Sequence, residues 1–283
     1  MNTHGQRKLS RRAGRGRRRA PVLLYCLMGF LLGVVLISGT FVALDLWEYR
    51  KAIDEYASLE QYMGEADRQE ESGGQIQGTD EMREDYPPLD IDYETLAKIN
   101  PDFAGVLYIP ALSLRYPVAA SRDNAEYLTR TFEGQENSSG CIFMDTYTNT
   151  DMSSVNSFIF GHNMKNGTMF GSLKRFYQEE GLCASDPYVY LYTPDAVYQY
   201  EIFSYYLADM YSDAYQDFAG AGGYDDYVRR AISRSAYQPE RAMDYSLRPR
   251  LLTLSTCAGA SGSAERFLVH GVLTGVYEGK GDL

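Results

Sequence analysis

Between Ala20 and Leu44 the chain runs 25 residues without a charged side chain. Eight basic residues precede it (Arg7, Lys8, Arg11, Arg12, Arg15, Arg17, Arg18 and Arg19), with no acid among them. Read as an α-helix, an apolar stretch of this length crosses the ~30 Å hydrocarbon core with some tilt. The arginines before it and Asp45 and Glu48 after it place the N-terminus in the cytoplasm and the rest of the chain outside. Trp47 and Tyr49 suit the outer interfacial belt. A cleaved signal peptide would have an apolar core of ~7–15 residues ending in a small-x-small site. This span is longer, and Val42-Ala43-Leu44 is a poor site. The basic run is therefore read as a topological signal and not as a nucleic-acid contact.

The formal charge of −11 hides an asymmetry, because beyond residue 19 there are 19 basic and 38 acidic residues, a net −19. Of four cysteines, Cys26 lies inside the apolar span, leaving Cys141, Cys183 and Cys257. Three cysteines in so long a segment do not make a disulfide scaffold, and at least one is expected to be a free thiol. Cys141 and Cys183 read as apolar fillers, and a bond between them stays open.

The expected organisation is a basic cytoplasmic tail (1–19), a membrane anchor (20–44), a helix with an acidic stalk (45–90) and a globular domain (91–283). Leu46, Tyr49, Ile53, Tyr56 and Leu59 recur at roughly helical spacing. Residues 64–90 are polar, acidic and closed by Pro87-Pro88, which predicts a solvated segment. Asp92 opens a short helix to Ile99. From Phe103 the texture changes to short β-branched and aromatic runs at 104–109, 112–118, 140–145, 155–160, 188–192, 196–208, 250–256 and 265–275. This pattern predicts an all-β barrel or sandwich with added helices at 123–130, 168–177 and 224–237.

Three stretches carry chemistry. In Phe158-Ile159-Phe160-Gly161-His162-Asn163-Met164 a strand runs straight into a histidine beside a glycine. In Leu251-Leu252-Thr253-Leu254-Ser255-Thr256-Cys257-Ala258-Gly259 an apolar strand ends on a thiol, which places Cys257 at a rim. A structural cysteine would be expected in mid-strand. In Glu265-Arg266-Phe267-Leu268-Val269-His270-Gly271 a guanidinium opens a strand after an eight-residue connection from the cysteine, so the two strands read as antiparallel neighbours. A guanidinium there can stabilise an oxyanion; its bland alternative is a salt bridge with Glu265 or another acid. His270 lies four residues along the same strand, roughly 13 Å away, and reads as structural. No cluster has metal-ligand spacing, and the acids around Asp213, Asp217, Asp225 and Asp226 read as a solvated face.

The segments GHNM, TLSTC and ERFLVHG, in that order, resemble the signatures of the sortases, and GHNMKNGTMFGSLKRF, the DNAEYL run at 123–128 and the helix before TLSTC resemble the class B branch. The resemblance covers roughly Asp92 to Gly275. It implies a closed eight-stranded barrel preceded by N-terminal helices and one transmembrane helix. It implies His162, Cys257 and Arg266 as catalytic residues, and Asn124, Ser255, Thr256 and the Ala258 N–H on the substrate side. Phe160 departs from the tyrosine common there in class B. The implied partners are secreted proteins with a C-terminal NPxT-like sorting signal and a peptidoglycan precursor or cross-bridge amine. No cofactor, metal or nucleic acid is implied. A pilus-polymerising relative using a pilin lysine, and an inactive membrane-tethered binding barrel, are the alternatives. NlpC/P60 peptidases, with Cys before His, and L,D-transpeptidases, with an SHGC-like run, do not fit the motif order.

Overall fold

The computed structural model describes residues 20–65, 86–215, 220–258 and 262–279. The basic tail, the middle of the acidic segment and Asp217 lie outside the described residues. The chain divides into two compact units, residues 1–47 and 48–283.

Helix α1 runs unbroken from Ala20 to Leu59. The separate helix expected after the apolar span is its continuation, since no glycine or proline stands between Asp45 and Leu59 to stop it. In the first unit the large apolar side chains from Leu24 to Leu44 are exposed. Among the described residues this is the one helix long and apolar enough to cross a membrane. In the second unit Ala52, Tyr56 and Leu59 are buried, followed by Met63, and Tyr49 packs against the same core. Ile53, expected on that face, is exposed: the stripe advances by three and four residues, and Ile53 sits about 100° around the helix from Ala52.

Strand β1 (Met63–Glu65) pairs antiparallel with β2 (Leu89–Ile91). The acidic segment predicted as a solvated stalk is therefore stitched together at its two ends. Tyr86 is buried there against Tyr277, with 4.7 Å between ring centroids, and the Tyr192 hydroxyl donates to Pro87 O. Helix α2 (Tyr93–Ile99) is capped by Asp92, whose side chain accepts from Thr95 N at 2.9 Å, and buries Leu96.

The remaining strands are β3 (Phe103–Ile109), β4 (Leu114–Ala120), β5 (Ile142–Met144), β6 (Asn156–Phe160), β7 (Tyr188–Tyr192), β8 (Ala196–Asp209), β9 (Leu251–Cys257) and β10 (Glu265–Glu278). They fall within about three residues of the eight runs read from the sequence. They close a barrel in the order β10-β8-β7-β3-β4-β5-β6-β9, resolving the choice between barrel and sandwich. The β4–β5 and β6–β9 pairs are parallel and the others antiparallel. Closure leaves no open edge for intermolecular pairing. Short helices α3 (Arg175–Gln178) and α4 (Leu182–Ser185) precede β7.

Helix α5 (Gly220–Arg234) lies between β8 and β9 in sequence and packs outside the barrel. Tyr224, Tyr227, Val228 and Ala231, at helical spacing, form a second core with Phe203, Leu251, Leu268 and Val272. Strands β8 to β10 are thus covered on both faces. That is why Leu251–Thr256 is buried throughout and reads as a continuous run instead of an alternation. Leu254, 1% exposed, faces the barrel core. Leu254→Ala is expected to cost ~2–5 kcal/mol in denaturant melts. Leu247→Ala, at a residue 90% exposed, should stay within about 0.5 kcal/mol of the parent.

Candidate active site

The geometry of the site follows from two strand registers. In the antiparallel β9–β10 pair, Cys257 stands directly opposite Arg266. Ala258 N donates to Glu265 O at 2.8 Å, so 258/265 is a hydrogen-bonded pair and 257/266 the neighbouring non-bonded one. In such pairs the Cα atoms approach to about 4.5 Å and the side chains come closest. In the parallel β6–β9 pair, Phe160 is level with Ser255, and Gly161 N donates to Ser255 O at 3.2 Å. Two residues further on each strand come His162 and Cys257, which the ladder brings to the same height. A Cβ on Gly161 would lie 2.8 Å from the Phe170 ring, so only glycine lets that ring pack beneath the turn that carries His162.

These residues line one cleft of ≈ 270 Å³, with Asn124, Ser255 and Thr256 and the apolar walls Leu128, Phe143, Phe160, Met210 and Tyr215. Cys257 is the one exposed residue of β9, whereas Cys141 and Cys183 are buried free thiols. Burial pushes both of those thiols up to about 12, far from reactivity at neutral pH. His162 Nε2 lies 2.6 Å from Leu128 O. A carbonyl only accepts, so Nε2 carries the proton and Nδ1 is left for proton exchange. Arg266 takes no part in the ion pairs among the described residues. Its Nη1 donates to Ser263 O at 2.7 Å and Glu265 O at 3.0 Å, which removes the rim salt bridge as its explanation there.

The substrate-side expectations divide. Asn124, held in the left-handed region (φ 57°), donates to Asp145 and accepts from Thr146 N, so its carboxamide is anchored to the loop after β5. The Ser255 hydroxyl is paired with Tyr215 OH at 2.7 Å, and the buried Thr256 hydroxyl has no partner among the described residues. The Ala258 N–H, expected to face an oxyanion, does not: the β9–β10 ladder extends one residue past the cysteine and takes it for Glu265 O. Tyr215 was not legible in advance. It reaches the cleft because Asp213, two residues before it, is gripped by Arg230 and Arg234 of α5. Asp225 and Asp226 are likewise paired with Arg248 and Arg229, and no group of potential metal ligands occurs among the described residues.

A barrel whose rim brings a free thiol, an imidazole and a guanidinium into one cleft has the outline of an acyl-transfer enzyme with a cysteine nucleophile. Residues 107–274 match the sortase domain family, and the chain belongs to that family, whose members are transpeptidases with a cysteine nucleophile. The relatives it matches are of the B class. It is 28% identical over 233 residues to Sortase B of Listeria monocytogenes, covering 80% of this chain and 86% of the relative. The structure of Clostridium perfringens Sortase B aligns with a TM-score of 0.59 at 29% identity, over 64% of this chain and 99% of that one. Sortase B of Bacillus anthracis aligns at 0.62 with 26% identity, over 82% and 98%.

Two outcomes follow. A charged, water-soluble thiol reagent applied to the folded protein should label Cys257, and label Cys141 and Cys183 only after denaturation; peptide mapping reads the sites. His270 is buried between Phe203, Tyr206 and Tyr227, and burial lowers its pKa to about 3. Because the folded pKa lies below the unfolded one of ~6.5, the unfolded chain takes up the proton first. This contribution is complete above pH ~6.5 and is lost as pH falls toward about 3. His270→Gln should flatten that part of the Tm-against-pH profile.

Proposed function

We infer that the protein is a membrane-anchored extracellular transpeptidase that cleaves a C-terminal, NPxT-like sorting motif and joins the protein to a cell-wall amine. The observation that carries this reading is the pairing of Cys257 with Arg266 across β9–β10, with His162 in the same cleft. The Cys257 thiolate attacks the carbonyl of the motif threonine, forming the C–S bond. As the tetrahedral intermediate collapses, His162 as imidazolium gives its proton to the departing amine, and a thioacyl-enzyme remains. The acceptor amine attacks the thioester carbonyl, loses its proton to His162, and releases Cys257 as the thiolate.

Arg266 supplies full positive charge beside the developing oxyanion at any relevant pH. The apolar walls of the cleft suit a motif with a proline, and Asn124, Ser255 and Thr256 line the cleft along it. The helix Ala20–Leu59 and the basic residues before it support a single crossing with the barrel outside. Nothing in the cleft favours a pilin lysine over a wall amine, and an exposed Cys257 beside two buried thiols argues against a binding module alone.

Arg266 gives the test. A donor that acts in the transition state lowers kcat more than it raises KM when removed. Arg266→Ala is expected to reduce kcat by about 10²–10³, the ~2.7–4 kcal/mol typical of one oxyanion donor. Arg266→Lys should recover only part, since an ammonium lacks the planar fork. Steady-state kinetics with a sorting peptide and a free amine measure both. A near-parental kcat in Arg266→Ala would take Arg266 out of the reaction.

A further inference from the structure

The imidazole of His162 rests on two backbone segments. Leu128 O accepts from Nε2, and Gly140 lies against the ring edge. Gly140 has φ 60°, and a Cβ there would come 2.9 Å from His162 Cδ2 and 2.5 Å from Tyr127 O. The two segments are tied to each other, since Cys141 N donates to Tyr127 O at 2.9 Å. The position of Gly140 therefore fixes one wall of the slot in which the imidazole sits.

What fixes Gly140 is α1. The buried Tyr56 hydroxyl donates to Gly140 O at 2.9 Å and accepts from Phe132 N at 3.2 Å, clamping both ends of the loop 132–140 with one oxygen. The same face of α1 holds the loop three times more. Asn137 Nδ2 donates to Glu48 O at 2.8 Å, Ser138 Oγ donates to Glu48 Oε2 at 3.4 Å, and Glu133 N donates to Glu55 Oε1 at 2.9 Å. The Tyr56 ring is set by an edge contact with Tyr116, with 5.3 Å between centroids, so the hydroxyl has little freedom to follow a moving loop.

We propose that Tyr56 is a positioning residue for catalysis, and that the segment Glu48–Leu59 of α1 holds His162 in register with Cys257 through Gly140. This rests on the reading of His162 as the proton-transfer group, but the placement of the ring is measurable without turnover. A displacement of about 1 Å at a reacting group costs up to ~10² in rate, while substrate binding in the cleft is untouched. Tyr56→Phe keeps the ring and removes both hydrogen bonds. It lowers kcat about tenfold with KM within about twofold.

The chain has three histidines, so the imidazole signals can be assigned by substitution. NMR of the full-length protein in detergent, with histidine labelled at Cε1, reads the ring directly. In Tyr56→Phe the His162 resonance shifts, while the His270 signal stays in place. Tyr192→Phe is the control: it removes a comparable buried hydroxyl, the donor to Pro87 O, and lowers stability without moving His162. Asn137→Ala removes the bond to Glu48 O together with the Ser139 N contact inside the loop, leaves Tyr56 in place, shifts the same resonance by less, and decides the matter if Tyr56→Phe does not fold. An unmoved His162 signal in the folded variant overturns the proposal whatever the substrate. A moved signal with unchanged kcat on a peptide that the parent cleaves overturns the positioning role alone.

Discussion

The β9–β10 ladder is the constraint on which the rest depends. It joins the last two strands of the barrel, and its register sets Cys257 against Arg266 at the non-bonded position where cross-strand side chains approach most closely. A slip of one residue would turn the cysteine from the face it shares with Leu251 to the opposite face, which looks into the barrel core. The register is held by burial on both sides: Leu252, Leu254, Phe267 and Val269 fill the barrel, while Leu251, Leu268 and Val272 pack under α5. A free thiol at the end of a strand so anchored can be exposed and still fixed in place.

The second register, β6 against β9, is parallel, and brings in the histidine from a part of the chain nearly a hundred residues away. The site is therefore a product of topology, with each reactive group placed by a different strand. Elements outside the barrel then trim it. Helix α5 draws in Asp213 and with it Tyr215, whose hydroxyl meets Ser255. On the other side α1 grips the loop beneath His162. Both helices thereby serve the cleft as well as covering apolar surface.

Much of this was legible in the residues. The eight strands stood out because β-branched and aromatic runs alternate with turn residues, and the pairing of Cys257 with Arg266 followed from the short connection between their strands. What was missed is non-local. Nothing around Tyr215 marks it as a cleft residue, because it arrives through an ion cluster between distant segments. The acidic segment at 64–90 looked solvated from its composition, yet its ends pair as β1 and β2 and Tyr86 is buried. The face of α1 was shifted at Ile53 because small Ala52, not the larger neighbour, allows close approach to the barrel. The Ala258 N–H was assigned to substrate because sequence cannot show how far a ladder runs past its last apolar residue.

The central claim is that Cys257 is the acyl carrier. It is tested most directly by incubating the protein with a sorting-motif peptide in the absence of any amine acceptor, then quenching in acid and mapping the adduct by tandem mass spectrometry. The account predicts one added mass, equal to the peptide up to and including its threonine, on Cys257 and absent from Cys257→Ala. An acyl adduct on Cys141 or Cys183, or cleavage that persists in Cys257→Ala, would contradict it.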